Sequence, residues 1–121
     1  MTLWRIHIGT RGRTLATHAR RADGFAARLV GLMGRRALAP GEALVLVPAA
    51  AVHSFFLRFP LDLLYLDRDG TILRAQEALP PWRLGALRTV GCRAILELPA
   101  GSVAASGSRV GDRLRIERIE G

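Results

Sequence analysis

Hydrophobic and polar positions alternate with a period of two along much of this chain, the signature of strands with one buried face. Trp4, Ile6 and Ile8 fall on one side of the first such run, with Arg5 and His7 on the other. Gly9-Thr10-Arg11-Gly12 supplies the turn behind it, and Arg13 to His18 fits a second strand less cleanly. Leu44 to Val47 is continuous and branched, as a fully buried strand would be, and Pro48 ends it. The densest stretch is His53 to Gly70. Its first part reads as a strand with Ser54, Phe56 and Arg58 on one face and His53, Phe55, Leu57 and Phe59 on the other. Pro60 makes a corner, Leu61 to Leu66 is apolar except for Asp62, and Asp67-Arg68-Asp69-Gly70 predicts a hairpin turn returning through Thr71 to Ala75. Arg93 to Leu98 and the run from Leu114 onward complete the strands.

A period of 3.6 replaces the period of two only once at length. Behind Asp23, a good N-cap, Phe25, Leu29, Leu32 and Met33 recur at helical spacing up to Gly34, with Arg28 and Arg35 expected to turn away from the core. Ser102 to Ser106 predicts a single further helical turn. Pro80-Pro81-Trp82-Arg83 predicts a rigid loop in which Trp82 is a lid over the core or an exposed stacking platform, the lid being favoured. The tally is a mainly β (α+β) fold. We expect a compact antiparallel β barrel or sandwich of about seven or eight short strands, with one short helix over about residues 24–34.

Composition changes this picture little. A chain of 121 residues, half of them apolar, predicts one domain over 1–121 with a core large enough to fold without disulfides. Cys92 is the only cysteine, and the N-terminus lacks the pattern of a secretory signal; the longest apolar run is too short for a membrane span. These features predict a cytoplasmic protein with no membrane partner. The net charge of +8 raises nucleic acid as a partner, though the arginines fall in short pairs with no aromatic residues alternating between them. All 18 basic residues are arginine, a bias that fits a GC-rich genome.

Several stretches together carry a resemblance to a known family. They are Gly31-Leu32-Met33-Gly34-Arg35, Leu44-Val45-Leu46-Val47, His53-Ser54-Phe55-Phe56-Leu57-Arg58-Phe59-Pro60-Leu61-Asp62, Asp69-Gly70, Ile95-Leu96-Glu97-Leu98-Pro99-Ala100-Gly101 and Val110-Gly111-Asp112-Arg113-Leu114. In this order the chain resembles DUF192 (UPF0127), a prokaryotic domain of unknown function. The resemblance implies a small β-rich fold with a short helix and supplies no substrate, cofactor or catalytic residue. Leu44 and Leu57 stand where methionine is common in that family, and Ser54 where threonine is common.

The polar groups of the central stretch are the candidate chemistry, since burying one without a partner costs roughly 1–3 kcal/mol. His53, Ser54, Arg58 and Asp62, with Trp82 and Arg83 at the rim and Glu97 nearby, predict a pocket for an anionic small ligand or an acidic peptide. A plainer account pairs Asp62 with Arg58 across the Pro60 corner and Glu97 with another arginine. An enzyme is the alternative, a hydrolase using His53, Ser54 and Asp62. Adjacent residues on a strand point to opposite faces, so His53 and Ser54 would not meet as base and nucleophile. No metal-ligand spacing is present and no cofactor is expected. Cys92 reads as a buried strand cysteine. A binding module therefore ranks first, an enzyme second and a non-specific nucleic-acid binder third.

Overall fold

A computed structural model describes residues 3–9, 12–22, 28, 32, 34–86 and 89–120. Its strands are β1 (Leu3–Ile8), β2 (Arg13–Ala22), β3 (Glu42–Leu46), β4 (Leu61–Leu66), β5 (Ile72–Leu79), β6 (Ala94–Pro99) and β7 (Leu114–Glu120), with a short helix at Ser102–Ser106. They form one sheet in the order β5-β4-β6-β3-β2-β1-β7. The expected mainly β fold is what forms, and two details differ. Neighbouring strands are antiparallel except β2 and β3, which run parallel. The chain between them, residues 23–41, is long enough for the crossover that parallel neighbours require. The sheet also does not close into a barrel. The residues leading into β5 and β7 meet at one isolated bridge, Thr71 to Arg113, with Ile72 also hydrogen-bonded to the backbone of Gly111 and Asp112, but the two strands themselves do not pair.

The helix expected over about 24–34 lies mostly outside the described residues, as do Asp23, Phe25, Leu29 and Met33; Arg28 and Leu32 are described, and both are helical.

The sheet is covered on both faces, which explains why β4 reads as nearly continuous hydrophobe. Alternation sends Leu64 and Leu66 into one cluster with Ile6, Ile8, Val45, Ile72, Leu96 and Leu98. Leu61, Leu63 and Tyr65 point the other way, to a cluster with Leu32, Leu38, Leu57, Phe59 and Ile95. Asp62 therefore shares a face with Leu64 and Leu66, while Glu97, opposite Leu63 in the ladder, shares the face of Ile95. The hairpin turn forms as expected, Gly70 taking φ 83° and the Asp67 side chain accepting hydrogen bonds from the Asp69 and Thr71 amides.

Residues 53–59 do not form the expected strand. His53 makes one isolated bridge to Leu84, Phe56 turns into the left-handed region at φ 67°, and the segment crosses the second face as irregular coil. The predicted face pattern fails accordingly, since Ser54 is buried while Phe56 and Arg58 are exposed. Bulky apolar residues favour strands only where a neighbouring edge is available to pair with, and here β6 and β5 already flank β4.

Candidate functional site

The coil of residues 49–59 leaves a pocket of about 280 Å³ on the second face, lined by Arg28, Leu46, Pro48, Ala49, Ala51, Val52, His53 and Leu84. Arg28, one of these residues, is held in an ion pair. Arg28 Nε and Nη2 donate to Glu97 Oε1 and Oε2 at 2.6 and 2.7 Å, with both side chains fully buried. Both carboxylate oxygens accept, the geometry of an ionised pair in which Glu97 neutralises the guanidinium. Burial pushes the Glu97 carboxyl above its usual range, and the Arg28 fork works against that push. One guanidinium nitrogen is left over. Arg28 Nη1 is buried and has no hydrogen-bond partner among the described residues.

Arg28 thus faces the sheet, against the expectation that it turns outward. Its spacing carried the signal: Arg28 and the buried Leu32 stand four residues apart, so on a helix they share a face. An arginine there needs a buried acid, and Glu97 supplies it.

His53 sits partly buried at the pocket mouth, with Nδ1 accepting the Phe55 amide at 3.1 Å and its ring stacked on Phe55. Desolvation, and then the charge of Arg28, hold its pKa below the ordinary histidine value. Because the folded value lies below the unfolded one, the stability this group contributes is present above about pH 6.5 and is lost as pH falls through the folded value. We expect His53→Ala to flatten that part of the stability-against-pH curve as pH falls below about 6.5; equal slopes in the two proteins would assign it elsewhere.

The other predicted residues divide between three places. Ser54 is fully buried, and its hydroxyl donates to the Pro80 carbonyl and accepts the Arg83 amide at 2.9 Å. With the Ser54 amide on Arg83 O and the Trp82 amide on Ser54 O, it ties residues 54–57 to 80–83. That hydroxyl serves the backbone and is not placed as a nucleophile. Asp62 lies on the opposite face of the sheet, where Oδ1 accepts the Ala78 amide at 2.8 Å and Oδ2 accepts the Gly101 and Val103 amides at 3.1 and 2.9 Å. It caps the Ser102–Ser106 helix and does not pair with Arg58. Asp62 and Glu97 are accordingly no carboxylate pair. Arg58, Trp82 and Arg83 are exposed, and Trp82 is 55% accessible, not the expected lid.

The structure therefore brings His53 and Glu97 together through Arg28 and leaves Ser54, Arg58, Asp62, Trp82 and Arg83 outside the pocket lining. Sequence reasoning missed Arg28, Ala49, Ala51, Val52 and Leu84 as lining residues. The wall near Leu84 is held by Tyr65, whose hydroxyl donates to Gln76 Oε1 and accepts the Ala86 amide, each at 2.9 Å. Gly85 is required there, because a Cβ would stand 2.8 Å from that hydroxyl and 2.9 Å from the Val52 carbonyl oxygen. Cys92 is buried, and its thiol is held above its usual pKa by desolvation. No cluster of three or more potential metal ligands occurs among the described residues.

An open seven-stranded sheet with a loop-covered second face and a buried arginine–glutamate pair defines the class, a small mainly β domain. The chain belongs to the DUF192 family, described as an uncharacterised ACR, whose model matches residues 6–116. A UPF0127 protein of Pyrococcus furiosus is 31% identical over 116 residues, covering 91% of this chain and 96% of the relative. One from Pyrococcus abyssi is 29% identical over 99 residues, 77% of this chain and 80% of the relative. A solved structure from Sinorhizobium meliloti, provisionally described as a transcription regulator, superposes with a TM-score of 0.75 at 29% identity, covering 94% of this chain and 92% of that one. A protein of unknown function from Novosphingobium aromaticivorans has the same fold, with a TM-score of 0.76 at 24% identity, covering 93% and 83%.

Proposed function

We propose that this chain is a binding module whose ligand places an oxygen acceptor on Arg28 Nη1 and an apolar body against Ala49, Ala51, Val52 and Leu84. The observation that carries the reading is the spare guanidinium nitrogen beside an apolar pocket. A buried donor without a partner costs about 1–3 kcal/mol, and more when it is charged, so an acceptor delivered there recovers that cost on binding. Glu97 already neutralises Arg28, and His53 is held toward its neutral form. A second anion beside Glu97 would be repelled. The head group that fits is therefore an uncharged carbonyl. The anionic head group expected from the sequence is therefore not the one this pocket favours; Arg58 and Arg83, on which that expectation rested, are exposed and do not line it.

A hydrolase is disfavoured by the same geometry, because Ser54 is engaged by backbone and Asp62 lies across the sheet from Glu97. Nucleic-acid binding draws on the net charge and on the description of the Sinorhizobium relative. Against it, Arg5, Arg28 and Arg35 are each committed to a glutamate.

The test is a panel of short aliphatic amides and the matching carboxylic acids, followed by thermal shift. We expect the amides to raise the midpoint saturably and the acids to do so less. Ala51→Leu, which fills the mouth from an exposed position, should abolish the shift. An amide shift that survives Ala51→Leu, or none at millimolar concentrations, would refute the pocket reading.

A further inference from the structure

The pocket shares Leu84 with an exposed apolar surface whose other members do not line it. Phe56, Trp82 and Leu84 are 53%, 55% and 63% exposed, the first two in edge contact at 4.7 Å between ring centroids. Trp82 stacks at 6.0 Å on Phe55, and Phe55 at 4.6 Å on His53, so the rings run without a break from the ledge to the pocket mouth. Phe56 and Trp82 also hold left-handed backbone, at φ 67° and 62°, which bulky residues adopt only at a cost. Glycine would suit either position better for folding. The Ser54 hydrogen bonds lock both turns in place, so the fold bears strain in order to present two aromatic rings to solvent.

Charge selects what the ledge would take. Neither segment that builds this region, 43–61 or 78–96, contains an aspartate or a glutamate, while Arg58 and Arg83 stand exposed on them. Large apolar rings flanked by arginine, with an apolar pocket alongside, have the composition of a protein–protein hot spot. Two flanking arginines and one anchor pocket suit a single side chain among carboxylates better than a run of phosphates, which needs a basic track.

We propose that Phe56, Trp82 and Leu84 form a docking ledge for an acidic polypeptide segment of a partner protein, with one large apolar residue as its anchor. The proposal rests on the pocket reading and names its partner, the peptide's main-chain carbonyl being the uncharged acceptor and the anchor side chain the apolar body. The two fail separately, because small amides report on the pocket, whereas loss of peptide binding on substituting Phe56 or Trp82, which do not line it, reports on the ledge.

The probe is a peptide library with one central Leu, Ile, Phe or Met and Asp, Glu, Ser or Gly elsewhere, beside a matched library carrying Lys for the acids, and oligothymidine. Anchored acidic peptides should bind at least about tenfold more tightly than their basic counterparts. Phe56→Gly and Trp82→Gly should each lose about tenfold or more of that affinity, with thermal midpoints unchanged or raised. Val110→Ser, at an exposed apolar position outside the ledge, should bind as the parent does. Should a glycine variant fail to fold, Phe56→Asn, also tolerant of left-handed backbone, takes its place. No acidic preference, undiminished binding by the folded variants, or preferential binding of oligothymidine would each overturn the ledge.

Discussion

Arg28→Met is expected to destabilise the domain by about 3–5 kcal/mol, because it strands the Glu97 carboxylate in the core without its partner. A domain of this size is stable by about 5–15 kcal/mol in all, so the loss is a large share of the total. The carboxylate would have to bind a proton to remain buried. Its folded pKa would then lie far above the unfolded value of about 4.3, and the stability lost would return as pH falls toward that value. Arg28→Met should thus show its largest deficit near neutral pH and a smaller one near pH 4–5. The double variant Arg28→Met/Glu97→Leu should recover most of the deficit, since exchanging a whole buried pair for apolar residues is often close to neutral. Urea denaturation of the three proteins at two pH values decides the matter. A single variant costing under about 1 kcal/mol, or a double variant no better than the single, would mean the pair is not the buried unit described.

Asp62→Ala should cost a similar amount, about 3–5 kcal/mol, for a different reason. It removes the acceptor of three backbone amides at once, those of Ala78, Gly101 and Val103. Two of these amides open the Ser102–Ser106 helix, which has no other side-chain cap. Each orphaned donor costs roughly 1–3 kcal/mol, and the sum is reduced because water can reach the end of β5 once the carboxylate has gone. Amide hydrogen exchange should show protection lost first at Val103 and its neighbours, ahead of the core strands. Arg58→Ala is the contrasting measurement. An exposed arginine with no part in the Asp62 network should change stability by no more than about 0.5 kcal/mol. Equal losses at Arg58 and Asp62 would restore the ion pair that the sequence suggested and discard the cap.

Both residues show how far the sequence reached. Asp62 in an apolar run had to be satisfied, and so did Glu97, whose arginine partner was expected but not named. Which groups satisfy them is a question of sheet register. Asp62 stands opposite Leu98 and Glu97 opposite Leu63, and strand alternation sends the two carboxylates to opposite faces. No local pattern contains that information, because β4 and β6 are separated in sequence by β5 and a long loop. The expected cluster of His53, Ser54, Arg58 and Asp62 dissolved for the same reason. Their shared site rested on a strand over 53–59, and coil does not alternate.

What the sequence determined alone was the set of elements whose cause is local. The alternating runs at Trp4–Ile8 and from Leu114 became β1 and β7, the continuous apolar runs became β3 and β4, the run from Arg93 became β6, the Asp67–Gly70 turn closed on its own aspartate and glycine, and the stretches from Gly31 onward carried the family resemblance. Tertiary structure decided everything that depends on two distant segments meeting. It turned Arg28 inward onto Glu97, laid residues 49–59 across the sheet to leave a pocket, and clamped two loops through Ser54 so that Phe56 and Trp82 face solvent. The physical reason is common to all three. A side chain's surroundings are set by which strand lies beside its own, and that choice minimises buried, unpaired polar groups over the whole chain at once.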